Sequence, residues 1–248
     1  MKILSVADLH YTLKQWDWVK QVADQFDLLI IPGDLLDIVS AVSIDVQILV
    51  LRKYLKRLPK EVPVLISSGN HDGDVRSEAG ESSAAWLKQI KSLGSFSSDG
   101  ESFEKDGILF TVCPWWDGDY SKAELAQQLQ RDAAKQKDQW IWVYHAPPSG
   151  SPLAWDGKHE YGDDALPGWI EQYRPDMVLG GHIHHAPFTK NGTWFDRMGD
   201  TLLFNAGKQI GPVPAFIELD TEKGTAIWRS LAGVESLDLQ SGEMTVLA

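Results

Sequence analysis

The sequence predicts an α/β fold organised around a mainly parallel sheet. Two observations carry this. Short aliphatic and β-branched runs recur over about the first 180 residues, at 3–6, 28–31, 64–66, 140–144 and 177–179. None alternates polar with apolar positions, which is the pattern of strands covered on both faces. Between the runs lie segments with helical spacing, so strand and helix alternate as βαβ crossovers require.

The elements follow in order. Residues 16–26 and 42–58 place apolar side chains near every 3.6 positions, and Pro59 ends the second. Ser121 with Glu124 three residues later reads as a capping box opening a helix over 122–136. Residues 103–113 read as a hairpin turning at Asp106-Gly107. Strand-like segments at 188–195, 201–205, 215–220 and 225–229 are separated by Asn-Gly, Gly-Asp, Gly-Pro and Lys-Gly, which suit hairpins. The expected organisation is a single domain over 1–248, with 232–248 as a loose C-terminal tail.

Composition narrows the function. The chain has 248 residues, enough to bury a sizeable core. A single cysteine, Cys113, excludes a disulfide scaffold and a cysteine-based zinc finger. No apolar run approaches the ~18 residues of a membrane span. The opening MKILSVADLH meets a charge at Asp8, too early for a secretory signal, so a cytoplasmic location is expected. With 23 basic and 35 acidic residues the net charge is −12, which argues against extended nucleic-acid binding.

The residues just beyond each buried run are informative. The first runs into Asp8-Leu9-His10 and the second into Pro32-Gly33-Asp34. The third leads to Gly69-Asn70-His71-Asp72, the fourth to His145, and the fifth to Gly180-Gly181-His182-Ile183-His184. Open α/β sheets bind ligands outside the carboxyl ends of their strands. Five of the seven histidines fall in these segments. Taken singly, each is a turn aspartate, an Asx-turn asparagine or a hydrogen-bonded histidine. Those readings do not predict their coincidence at five strand ends. Imidazole and carboxylate donors without thiolate suit borderline divalent ions such as Mn²⁺, Fe²⁺/Fe³⁺, Zn²⁺ or Ni²⁺. Seven donors exceed one ion's needs and fit two, with one carboxylate bridging. Two such ions lower the pKa of a bridging water and clamp an in-line displacement at phosphorus.

In this order the blocks resemble the calcineurin-like metallophosphoesterase superfamily: Asp-x-His, Gly-Asp, Gly-Asn-His-Asp, a lone His, then Gly-His-x-His. Asn205-Ala206-Gly207-Lys208 looks like its later Asn-Pro-Gly-Ser block, with Ala and Lys as departures. The resemblance implies a four-layer α/β/β/α sandwich of two mixed sheets. It implies one metal on Asp8, His10 and His184, another on Asn70, His145 and His182, and Asp34 bridging. His71 would act on the phosphoryl group as a charged general acid oriented by Asp72. Many members carry Arg after Gly-Asp-x-x-Asp, whereas Ile38 follows Asp37 here.

The expected activity is hydrolysis of a small or medium organic phosphate by a metal-bridging hydroxide. His145-Ala146-Pro147-Pro148 and the Ala-Pro-Phe after His185 look most like small bacterial phosphodiesterases. A phosphomonoesterase or protein phosphatase of the same superfamily is the alternative, and a non-catalytic metal-binding scaffold is the competing class. Among eleven tryptophans, Trp115, Trp116 and Trp155 fall in expected loops, where they either wall a substrate cleft or seal the loops. Lys208 is a candidate phosphate contact. The long stretch 147–168 hints at a lid. Asp163 and Asp164 read as helix-start residues, His159 as a surface residue and His185 as a neighbour of the site.

Overall fold

The structure is a computed structural model that describes residues 1–247. The larger of two main sheets has eight strands. Their spatial order is Met244–Leu247, Gly233–Asp238, Thr225–Ser230, Phe216–Asp220, Lys2–Ser5, Leu28–Pro32, Val64–Ser67 and Phe96–Ser98. The last four run parallel. The others pair antiparallel. The smaller sheet orders six strands as Phe195–Met198, Thr201–Asn205, Met177–Gly180, Gln139–Val143, Ile108–Val112 and Ser102–Lys105. Its four central strands are parallel and its two edges antiparallel.

Alternate residues of each central strand feed different cores, which is why these strands are mostly apolar. Ile3, Leu28, Ile30 and Leu65 of the larger sheet meet Phe110, Ile141, Val143 and Leu179 of the smaller one between the sheets. The intervening residues Leu4, Leu29, Ile31 and Ile66 face outward onto helices α1 (Leu13–Val22) and α2 (Ile44–Leu55) through Trp16, Val19, Leu51 and Leu55. Leu109, Trp140, Trp142 and Val178 likewise face α3 (Asp119–Ala133) and α4 (Leu166–Tyr173). Three cores separating helices, sheet, sheet and helices make a four-layer α/β/β/α sandwich. No helix among the described residues is long and apolar enough to cross a membrane.

Several elements differ from expectation. The Asp119–Ala133 helix starts before Ser121, because the cap comes from elsewhere in the chain. The Glu81 carboxylate accepts the N–H groups of Tyr120 at 2.9 Å and Ser121 at 2.8 Å. Gly118 stands at the N-cap, where a Cβ would lie 2.3 Å from Glu81 Oε1. Residues 188–195 do not form a strand. Ala186–Phe188 is a 3-10 turn, and the strand is Phe195–Met198, paired across Gly199-Asp200 with Thr201–Asn205. The stretch 147–168 is tied down, both within itself and to Lys190, rather than free. Ser149 N–H donates to the Asp163 carbonyl at 3.1 Å, Asp163 N–H to the Pro147 carbonyl at 2.8 Å, and Trp155 Nε1 to the Lys190 carbonyl at 3.2 Å.

The expected loose tail is the largest correction. Gly233–Asp238 and Met244–Leu247 extend the larger sheet by two antiparallel strands. Leu237 is fully buried in the core between the sheets. Its period-2 signal is diluted by Glu235, Ser236 and Asp238 on an edge where one face meets water. Leu237→Ala is expected to cost about 2–5 kcal/mol of stability in urea unfolding, the range for large-to-small core changes. A loose tail would give no shift in the midpoint.

Candidate metal centre

The carboxyl ends of the parallel strands of both sheets meet at one edge. Asp8 follows Lys2–Ser5, Asp34 follows Leu28–Pro32 and Asn70 follows Val64–Ser67. From the smaller sheet come His145 after Gln139–Val143 and His182 and His184 after Met177–Gly180. Backbone bonds lock these turns together. His10 N–H donates to the Asp34 carbonyl at 2.9 Å, Gly181 N–H to the His145 carbonyl at 2.8 Å, and Lys208 N–H to the His184 carbonyl at 3.0 Å.

The turns are strained and tight. Asp8, His10, Asp34 and His182 all have positive φ, at 57°, 39°, 54° and 72°. Backbone strain of this kind persists only where surrounding structure enforces it, and it clusters at functional sites. Two glycines are required by close approach. A Cβ on Gly33 would lie 2.3 Å from His145 Nδ1, and one on Gly69 2.2 Å from Asp34 Oδ1.

All seven expected ligand residues come together. One donor group comprises Asp8, His10, Asp34 and His184, and another Asp34, His145 and His182, each with donor atoms within 4.8 Å of one another. Asp34 belongs to both. Its Oδ2 lies 3.4 Å from His10 Nε2 and 3.4 Å from His145 Nε2. Asp8 Oδ1 lies 3.4 Å from His184 Nε2. Asn70 Oδ1 lies 2.9 Å from His182 Nδ1 and 3.3 Å from His145 Nε2. The carboxylates are also anchored from behind, since Asp8 accepts His182 N–H at 3.1 Å and Asp34 accepts His71 N–H at 2.9 Å.

The donor set fits a cation. His145 Nδ1 lies 2.7 Å from the Pro32 carbonyl, which only accepts, so Nδ1 carries hydrogen. In the neutral ring, Nε2 is then a lone pair facing two oxygens. Three acceptors converge with no donor among them. Without a metal a proton fills this role. Burial opposes the charged ring, but Asp34, Asp8 and the Pro32 carbonyl outweigh it and push the His145 pKa up to about 9. His182 goes the other way, pushed down to about 4 by burial and by the His145 charge, so it stays a neutral donor. Burial would raise Asp8, but His10, His184 and His145 hold its carboxyl well below the usual range. Two ionised carboxylates among imidazole lone pairs match the preferences of borderline divalent ions.

His71 and Asp72 depart from expectation. Asp72 is fully buried, but its Oδ1 accepts Leu35 N–H and Leu36 N–H, both at 2.9 Å, and its Oδ2 accepts Gly69 N–H at 2.8 Å. It staples the Asp34 turn to the Gly69 turn and does not orient the His71 ring. His71 is not held charged either. Burial lowers its pKa despite Asp34 and Asp37. Ile38 N–H points at His71 Nδ1 at 3.4 Å, so the neutral ring carries its proton on Nε2. The ring meets His10 edge-on with centroids 4.5 Å apart.

The remaining candidates separate. Trp115 walls the centre, its ring 5.7 Å from that of His145 and 5.5 Å from that of His182. Trp116 turns away, donating from Nε1 to the Tyr144 hydroxyl at 2.7 Å and to Asp163 at 3.0 Å. Asp163 caps α4, accepting Ala165 N–H at 2.7 Å. Lys208 is half-buried, which lowers its pKa, while Asp8, Asp37 and Asp34 are near enough to oppose that. His159 and His185 are exposed. Two contributors were missed. Asp37 joins His10 and His71 in a third donor group. Asn205 donates to the Ile183 carbonyl at 3.0 Å and accepts Gly207 N–H at 2.8 Å, holding the His182–His184 turn. Asp37 was visible only as a spacing landmark, and Asn205 only through the later block of the resemblance.

Comparison with known proteins bears on the family and the fold. The calcineurin-like phosphoesterase family model matches residues 1–186. No curated protein matches the chain in sequence. The structure of TT1561 of Thermus thermophilus superposes with a TM-score of 0.60 at 14% identity, over 99% of this chain and 97% of that one. The purple acid phosphatase PPD1 from yellow lupin seeds superposes with a TM-score of 0.55 at 13% identity, over 99% of this chain and 52% of that one. At such identities the likeness is one of fold. The match over residues 1–186 identifies the chain as a member of the calcineurin-like phosphoesterase family, the metal-dependent hydrolases of phosphoric esters.

Proposed function

We propose that the chain is a phosphodiesterase acting on a small or medium organic phosphate, with two divalent ions at the centre. One ion is assigned to Asp8, His10 and His184 and the other to Asn70, His145 and His182, with Asp34 shared. The observation that carries this is the position of Asp34 Oδ2, equidistant at 3.4 Å from His10 and His145. When bound, such ions supply positive charge and a water of lowered pKa for attack on phosphorus.

The chain's own residues do the rest. His71 offers Nε2–H to a phosphoryl oxygen or to the departing oxygen, as a neutral donor rather than a charged acid. The Asp72 staple fixes the turn that carries it. Lys208 adds one positive charge near the carboxylates. Trp115 shields the His145–His182 side from water. The diester preference rests on charge. Ile38, an exposed residue, stands where many members of the family carry arginine, so Lys208 faces the phosphate without that second cation. A monoanionic diester needs less compensation than a dianionic monoester. A non-catalytic scaffold is disfavoured because His71 and every ligand position are in place.

Protein loaded with Mn²⁺ is expected to release p-nitrophenol from bis(p-nitrophenyl) phosphate faster than from p-nitrophenyl phosphate. The reverse order would remove the diester preference, and inertness toward both would remove the activity. His71→Ala is expected to lower kcat by about 10²–10³, the scale for one lost transition-state donor, with metal content unchanged. Wild-type turnover in that variant would refute the role. Asp34→Asn removes the shared charge, and elemental analysis should show metal content falling below that of wild type; full occupancy would contradict the bridge.

A further inference from the structure

The outer face of α2 is not the polar face that its surface position calls for. Gln47, Leu51 and Leu55 are its buried residues. At 3.6 residues per turn, Val46, Leu49, Lys53 and Lys56 form one stripe on the opposite side. All four are exposed, Leu49 at 57%. A surface helix ordinarily presents charged or polar residues there. On α2 the first half of the stripe is aliphatic and the second half is basic.

The aliphatic half continues into the segment before the helix. Ile38 and Val39 are exposed, Val39 at 84%. Hydrogen bonds hold them in that position. Buried Gln47 accepts Asp37 N–H at 2.8 Å and donates to the carbonyls of Asp37 at 2.9 Å and Val42 at 2.7 Å. Val39 N–H donates to the Asp37 carboxylate at 3.0 Å. Four exposed large aliphatic side chains are thus fixed within twelve residues, 38–49. Exposed apolar clusters of this kind mark interaction sites.

The basic half stands out in an acidic chain. Arg52, Lys53, Lys56, Arg57 and Lys60 fall within nine residues that contain no acidic one, although the whole chain carries −12. Asp45 and Glu61 are the acidic residues flanking this stretch. Among the described residues, none of the five cations enters an ion pair. Their charge is therefore free to meet a partner.

We propose that this face of α2, together with Ile38 and Val39, docks the protein on a bilayer containing anionic lipid. The aliphatic half enters the boundary between headgroups and acyl chains, and the lysines lie against anionic headgroups. Charge selects an anionic partner. Composition selects a bilayer over a protein. Protein interfaces are depleted in lysine and draw their anchors from tryptophan, tyrosine and arginine. The stripe has no aromatic residue and its two cations are lysines, whereas helices lying in a membrane interface combine apolar side chains with lysine and arginine. Ile38 N–H faces His71 Nδ1 at 3.4 Å, so the metal centre lies at the border of the docked face.

The test is flotation of the full chain with vesicles of phosphatidylcholine alone and of equal parts phosphatidylcholine and phosphatidylglycerol. Wild type should float with the anionic vesicles and not with the neutral ones, and raising NaCl from about 0.1 M to about 1 M should release it. Two double variants separate the halves of the stripe, Val46→Gln with Leu49→Gln and Lys53→Gln with Lys56→Gln. Each should lower partitioning by about tenfold or more, with the melting curve followed by circular dichroism matching wild type. Flotation needs neither metal nor turnover, so its result stands apart from the phosphodiesterase reading. Failure to float with anionic vesicles, equal flotation with neutral ones, or flotation that neither variant reduces would overturn the proposal. A dimer in sedimentation velocity that the Val46 and Leu49 changes abolish, in a protein that does not float, would assign the face to a second copy and overturn it as well.

Discussion

A buried carboxylate cannot remain ionised without positive charge close by, and Asp34 is 1% exposed. It sits on a left-handed turn at the end of Leu28–Pro32, anchored by the His71 N–H through one oxygen. The other oxygen faces imidazoles delivered by both sheets. Much around it serves this placement. Gly33 and Gly69 let His145 and Asp34 approach to distances a Cβ would block. The Asp72 staple fixes the two turns against each other. The sandwich itself exists at this edge to bring strand ends of two sheets within reach of one carboxylate.

Packing and chemistry are thus divided along each strand. The central strands are largely apolar on both faces because they feed two cores, and the buried Thr111 hydroxyl among them is taken up by Asp132 and Trp140. Functional groups appear only where the strands stop. The strain of the positive-φ residues at these ends, Asp8, His10, Tyr11, Asp34 and His182, is borne by a scaffold whose three cores supply the stability. In the bound state, cations offset the repulsion among the clustered acceptors.

The core strands were legible because a doubly buried strand has no polar alternation to confuse it. The site was legible because its residues come directly after those strands. What escaped was settled by partners distant in sequence. The start of α3 is set by Glu81, about 40 residues earlier, and no local capping signal encodes that. Gly233–Asp238 buries only Leu237 and Met244–Leu247 is exposed throughout, so Leu237 alone could not outweigh its polar neighbours. Asp72 follows His71 in the chain and invited a pairing with it. The adjacent N–H groups of Leu35 and Leu36 claim its carboxylate instead, and nothing in the spacing of the motif encodes that competition.

The proposed centre has one carboxylate, Asp34, shared by two ions. It is tested most directly by electron paramagnetic resonance of the Mn²⁺-loaded protein together with metal analysis. A shared Asp34 predicts two ions per chain with the multiline spectrum of an exchange-coupled pair about 3.5–4 Å apart. Two magnetically isolated ions, or a single ion at saturating metal, would contradict it.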